Sequence, residues 1–214
     1  MIKLIVFDVG ETLVNETRHW REWAAWLGVP EFTFSAVLGG MIATGRSHRE
    51  VFPLLAQISH PEAVARRSAS GWTYKIVAED FYPDVAACLS DLRTAGFKIG
   101  IAGNQPAECE TCISSMNIKL DLVGSSGRWG FQKPSLEFFN RITQESGLLP
   151  REICYVGDHP VNDIGPAKQE GMTAVWLRRG PWAALLRHEE AARAADFVAD
   201  DLTSLTRWLI RSSP

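Results

Sequence analysis

Residues 6–14 read VFDVGETLV. An apolar run ends in Asp8, and the chain then passes through Gly10 to Thr12. A short, continuous run of apolar and β-branched residues suits a strand buried on both faces, and a carboxylate at its end is delivered to the edge of a sheet. The pattern recurs. KLIVFD (3–8), KIGIAGN (98–104), LDLVGSS (120–126), EICYVGD (152–158) and TAVWLRRG (173–180) are apolar, partly β-branched, and end in or near Gly, Asn, Ser or Asp. Helical patterns lie between them: PDVAACLSDLRTAG (83–96), PSLEFFNRITQESG (134–147) and NDIGPAKQEG (162–171). Gly96 and Gly171 stand where a helix C-cap takes a left-handed residue. The tail DFVADDLTSLTRWLI reads as a short strand and a closing helix. Strand–helix alternation implies a parallel sheet with right-handed crossovers, an α/β fold.

Residues 15–79 break the alternation. NETRHWREWAAWLG, FSAVLGGMIATG, SHREVFPLLAQIS and PEAVARRSASGWTYKIVAED all read as helical, so the first strand is followed by an inserted helical subdomain. Trp20, Trp23 and Trp26 fall near one helical face and read as packing residues. In GRSHRE (45–50), Arg46, His48 and Arg49 could meet an anion, but a solvated helix start with Ser47 as N-cap is the simpler reading.

The chain has 214 residues, 46% hydrophobic and 22% charged, which suits a sizeable core. A net charge of −3 without a basic block gives no support to nucleic-acid or membrane-surface binding. No apolar run reaches the roughly 18 residues of a membrane span. MIKLIVFDVG reads as a strand rather than a signal peptide, so the default expectation is a cytoplasmic protein. Of the four cysteines, Cys109 and Cys112 have a suggestive spacing. No second pair accompanies them, which argues against zinc and for two cysteines on one helix.

In open α/β sheets, ligands sit beyond the carboxyl ends of the strands. There the sequence collects Asp8, Gly103, Asn104, Ser125, Ser126, Asp158 and Asp163, with Lys133 in the loop GFQKPS. Carboxylates with a lysine suit a cation and a phosphoryl group.

These residues resemble the haloacid dehalogenase-like hydrolases along nearly the whole chain. FDVGETL is similar to the family's first motif, with Asp8 in the nucleophile place and Thr12 in the threonine place. IAGN (101–104) falls at the second motif, FQKPSLEFF (131–139) at the third with Lys133, and YVGDHPVNDIGPAKQEGM (155–172) at the fourth with Asp158 and Asp163. The resemblance implies a Rossmann-like parallel-sheet core, 1–14 and 80–214, with an α-helical cap over 15–79. It also implies a phosphatase of a small phosphorylated metabolite. On this resemblance Asp8 would form an aspartyl-phosphate, and Lys133 would hold Asp8 and the phosphoryl oxygens. Thr12, Gly103 and Asn104 line the phosphate. The resemblance further implies Mg²⁺ held by Asp8, the Gly10 carbonyl and Asp158, with Asp163 in support.

Two positions depart from the family pattern. Gly10 stands where phosphatases carry a second aspartate, whose acid–base work is typically worth about 10²–10⁴ in rate. Glu11 is the nearest replacement, one position off, and His159 or a residue of the helical insertion is another candidate. Gly103 replaces a Ser or Thr whose hydrogen bond is worth about 0.5–1.5 kcal/mol; the Asn104 backbone or side chain can stand in. These departures motivate an alternative reading as a binding or regulatory protein that has lost the chemistry. Dehalogenation is disfavoured, because Asp158 is absent from the family's dehalogenases. The arginines of LRRGPW (177–182) read as surface charges. The sequence leaves the oligomeric state open.

Overall fold

A computed structural model describes residues 1–73, 75–114 and 119–212. The chain divides into two compact units: Met1–Asn15 with Ile76–Pro214, and Glu16–Lys75.

The larger unit is built on a six-stranded, wholly parallel sheet in the order β3-β2-β1-β4-β5-β6. Its strands are β1 (Leu4–Phe7), β2 (Lys98–Gly103), β3 (Leu122–Ser125), β4 (Ile153–Gly157), β5 (Thr173–Leu177) and β6 (Phe197–Ala199). β1 is central and fully buried, as its unbroken apolar run requires. Phe7 pairs with Ile101 of β2 and Val156 of β4, so the strands leave the sheet level with one another beside Asp8. The chain moves outward from β1 through β2 to β3, then returns to β1's other side as β4. The strand order reverses there, which opens a crevice at the carboxyl edge.

Side chains alternate across β1. Leu4 and Val6 join a cluster with Phe138, Phe139, Tyr155 and Ile164; Ile5 and Phe7 face the other way. Phe138, Phe139 and Ile142 come from one helix, Leu136–Ser146, whose apolar residues fall on a single face. The Phe139 ring meets Phe138 at 5.5 Å and Tyr155 at 5.0 Å, edge to face. Gly96 and Gly171 adopt positive φ, as the sequence suggested, and Gly147 ends the Leu136–Ser146 helix in the same way. The helix foreseen over 162–171 is shorter and begins irregularly: a π-helical turn, Pro160–Ile164, precedes an α-helix of Gly165–Gln169.

The smaller unit is helical, with α1 (Thr17–Trp26), α2 (Glu31–Ala43), α3 (Val51–Ala56) and α4 (His60–Ala69). The helical reading of 61–80 is too long. α4 stops at Ala69, and among the described residues beyond it only Ala78–Asp80 form a 3₁₀ turn. Ser47 does cap the turn His48–Glu50, accepting from the Arg49 N–H while the Ser47 N–H donates to Glu50. Arg46 is paired with that same Glu50. The three tryptophans of α1 do not share one fate. Trp23 is fully buried against Phe52 and Trp72, whereas Trp26 is 36% exposed. The Arg67 guanidinium lies between Trp23 and Trp72, 4.5 and 4.2 Å from the ring centres. Among the described residues, no single helix is long and apolar enough to cross a membrane.

Two stability outcomes follow from this packing. Phe139→Ala is expected to cost about 3–5 kcal/mol, read as a lowered urea midpoint at unchanged slope. Burial holds His19 and His60 of the helical unit down at about 4, against an ordinary 6.5, with the charges of Arg67 and Arg49 adding to it. The unfolded chain therefore binds more protons than the folded one between those values. The stability this contributes is complete above pH 6.5 and is lost as pH falls toward 4. His19→Gln with His60→Gln should flatten the acid limb of denaturant midpoints measured across that range.

Candidate active site

Asp8 follows β1, Gly103 ends β2, Asp158 follows β4, and Lys133 arrives from the loop before the Leu136–Ser146 helix. The Lys133 ammonium lies 2.6 Å from Asp8 Oδ1 and 2.6 Å from Asp163 Oδ1. All of these side chains are buried. Below the ammonium lie the Tyr155 and Phe138 rings, 5.6 and 5.9 Å away, and the Tyr155 hydroxyl donates to the Ala102 carbonyl. Asn104 fixes the lysine from its backbone: the Lys133 N–H donates to Oδ1 at 2.7 Å, and Nδ2 donates to the Lys133 carbonyl at 3.0 Å.

Asp163 is carried by the π-helical turn, where such irregular turns often serve function. Its second oxygen accepts from the His159 N–H at 2.9 Å. Gly157 makes room for it, because a Cβ there would come within 2.3 Å of Asp163 Oδ2. Gly103 does the same for the nucleophile candidate: a Cβ would come within 2.7 Å of Asp8 Oδ1. The second departure from the family pattern thus has a steric meaning here. The missing side chain leaves the space into which the Asp8 carboxylate leans toward Lys133.

Asp8, Asp158 and Asp163 each offer an oxygen within 4.8 Å of the others. Burial pushes Asp8 up to about 6, Lys133 pulling it down and Asp163 pushing it up. Burial also raises Asp158 well above the carboxylate range, reinforced by the charges of Asp163, Asp8 and Glu11. Burial by itself would lower Lys133, but Asp163 and Asp8 outweigh it and hold the ammonium well above its ordinary value. With every group ionised, three carboxylates face one ammonium. Asp158 Oδ2 and Thr12 Oγ1 are buried without a hydrogen-bond partner, an exception among buried polar atoms that fits a ligand at this edge of the site.

Several sequence expectations are changed by these contacts. The Asn104 side chain is committed to Lys133, which leaves only its backbone to serve a phosphoryl group. Glu11 is buried and accepts from the Tyr82 hydroxyl at 2.6 Å. His159 is a cap, its Nδ1 accepting from the Asn162 N–H at 3.3 Å while its ring stacks on Trp182. Burial keeps it neutral, lowered to about 4. Ser125 donates to Glu110 and accepts from the Arg128 N–H, and Ser126 donates to the Gln105 carbonyl, so neither belongs to the carboxylate cluster. Arg178 is an exposed surface charge, as read, but Arg179 is not. Its side chain is largely covered, lying over the Tyr82 ring and paired with Asp84, and donates to the Thr12 carbonyl at 3.1 Å. Tyr82 and Asp84 were missed, and Arg179 misread, because their partners lie far away in sequence. None of the four cysteines is in a disulfide, and Cys109 and Cys112 lie on the helix Glu108–Ser114.

Strand-end carboxylates around a buried lysine, on a parallel sheet at its order reversal, make a site suited to a cation and an anionic ligand. The chain belongs to the haloacid dehalogenase-like hydrolases, whose family profile matches residues 5–177. A glyceraldehyde 3-phosphate phosphatase of Methanopyrus kandleri is 28% identical over 207 residues, covering 85% of this chain and 86% of the relative. Another glyceraldehyde 3-phosphate phosphatase, of Methanocaldococcus jannaschii, is 35% identical over 127 residues, 58% of this chain and 54% of the relative. The fold is shared with an L-2-haloacid dehalogenase of Xanthobacter autotrophicus, with a TM-score of 0.70 at 20% identity over 100% of both chains.

Removing the ammonium tests the electrostatics directly. Lys133→Met should cost about 3–5 kcal/mol, as breaking a buried ion pair does, read by urea unfolding at neutral pH without added metal.

Proposed function

We propose that the protein is a magnesium-dependent phosphatase of a small phosphorylated metabolite, acting through an aspartyl-phosphate on Asp8. The observation that carries this reading is the charge imbalance: three buried carboxylates against one ammonium, with Asp158 Oδ2 left without a partner. An all-oxygen donor set of this kind fits a hard divalent cation. In this reading Asp8, Asp158 and the Gly10 carbonyl hold Mg²⁺, and Asp163 supports them. When bound, the cation neutralises negative charge on the phosphoryl oxygens.

The chain's own residues do the rest. Lys133 holds one Asp8 oxygen and sets its positive charge beside the reacting phosphate. The other Asp8 oxygen attacks phosphorus, the bond to the leaving oxygen breaks, and that oxygen departs with the electron pair and takes a proton from water. Water then attacks the phosphorus of the aspartyl-phosphate, releasing inorganic phosphate and restoring the carboxylate. The backbone at Gly103 and Asn104 and the Thr12 hydroxyl receive the phosphoryl oxygens.

Phosphatase relatives support phosphate-ester hydrolysis over carbon–halogen cleavage, and Asp158 points the same way. Gly10 supplies no proton to the leaving group, so leaving-group quality should govern the rate. Purified protein is expected to hydrolyse p-nitrophenyl phosphate with Mg²⁺, to lose that activity in EDTA and to fall to background as Asp8→Asn. Alkyl esters such as glyceraldehyde 3-phosphate should turn over about 10²-fold or more slowly than the aryl ester, the share of a missing general acid. No turnover of any ester above the Asp8→Asn control would overturn the phosphatase reading. Chloride release from 2-chloropropionate without metal would replace it with dehalogenation.

A further inference from the structure

The chain turns sharply after Asp8. Leu13 and Val14 both donate their N–H to the Val9 carbonyl at 2.9 Å, and the Glu11 N–H donates to Val14 at 2.7 Å. Glu11 closes this turn with φ of +52°, in the left-handed region where a glutamate is strained. Such strain persists only where the surroundings over-determine it.

They do so here. The Tyr82 hydroxyl donates to Glu11 Oε2 at 2.6 Å. Gly180 lies against the same side chain, so closely that a Cβ there would come within 2.6 Å of Glu11 Cβ and 2.7 Å of Oε2. Arg179 covers the Tyr82 ring at 4.0 Å and donates to the carbonyl of Thr12, the next residue in the turn. Asp84 holds Arg179 and also accepts from the Leu202 N–H at 3.0 Å, which ties the assembly to the start of the closing helix, Leu202–Arg211. The turn is thus stapled at two consecutive residues, both from elements remote in sequence.

The staple bears on Gly10. The Gly10 carbonyl and the Glu11 N–H belong to one planar peptide unit. Fixing Glu11 fixes the direction of that carbonyl, which the phosphatase reading gives to the cation. We propose that Glu11, gripped by Tyr82 and Gly180, is a positioning residue that holds the Gly10 carbonyl for the metal, with Tyr82 and Arg179 as its supports. The role is mechanical: it needs an acceptor for the Tyr82 hydroxyl, not a charge and not a proton. The inference rests on the magnesium-dependent phosphatase reading.

The test is Mg²⁺ binding by calorimetry to the full chain, without substrate, beside thermal unfolding without metal. Tyr82→Phe removes the hydroxyl and keeps the ring under Arg179. Glu11→Gly removes the gripped side chain and suits the left-handed backbone, so the fold should survive it. Both should weaken Mg²⁺ binding by about 10-fold or more, the usual loss when a group supporting a metal ligand is removed. Glu11→Gln keeps an acceptor and should bind Mg²⁺ within about 3-fold of the parent, less than one hydrogen bond's worth. Parent-like binding by Glu11→Gly, or binding by Glu11→Gln as weak as by Glu11→Gly, overturns the positioning role. If Tyr82→Phe does not fold, the Gln and Gly variants at Glu11 decide the question by themselves. A parent protein that binds no Mg²⁺ overturns the metal reading together with this one; intact parent binding with unaffected variants overturns only this one.

Discussion

One ammonium group holds the site together. Lys133 Nζ sits 2.6 Å from each of two carboxylates, in a space with little water, where each ion alone would be costly to bury. The strands that carry Asp8 and Asp158 leave the sheet side by side, and their like charges repel. The lysine relieves part of that repulsion and leaves a negative excess. Its own placement is secured from every direction: Asn104 clamps its backbone, and the Tyr155 and Phe138 rings support its ammonium. The aromatic core under β1 therefore serves the chemistry as well as the stability, because it forms the floor on which the lysine stands.

The site depends equally on atoms that are missing. Gly103 and Gly157 end β2 and β4, the strands on either side of β1, at the points where Asp8 and Asp163 need room. A single methyl group at either position would collide with a carboxylate. Read alone, Gly103 is a lost hydrogen-bond donor. Read against its neighbours, it is the gap that lets Asp8 reach Lys133. Gly10 is different: in the proposed phosphatase reaction it offers no side chain to protonate the leaving oxygen.

Much of the architecture was legible because it follows from local pattern. Each strand of the parallel sheet announced itself as a buried apolar run ending in a polar or small residue, and the order of the motifs along the chain matched the order of the strand ends. Helix ends were legible where glycine marked them. The errors came where no local rule applies. The stretch after Ala69 kept a helical composition yet leaves the helix, and the start of the Asp163 segment is a π-helical turn rather than a regular one. Tryptophans spaced along one helix looked equivalent, but only packing partners such as Phe52 and Trp72 decide that Trp23 is buried and Trp26 is not.

The sequence by itself determined the class of fold, the strand-end carboxylates and the lysine, because buried strands and charged loop residues are properties of short segments. Only the tertiary structure decided what each polar group does. It turned the Asn104 side chain from a phosphate donor into a clamp on Lys133, Arg179 from a surface charge into a partner of Thr12 and Asp84, and Glu11 from a candidate acid–base group into an acceptor held by Tyr82. Those partners lie up to 167 residues apart along the chain. A hydrogen bond is decided by distances of a few tenths of an ångström, and such distances exist only once the sheet and its crossovers have brought the remote segments together.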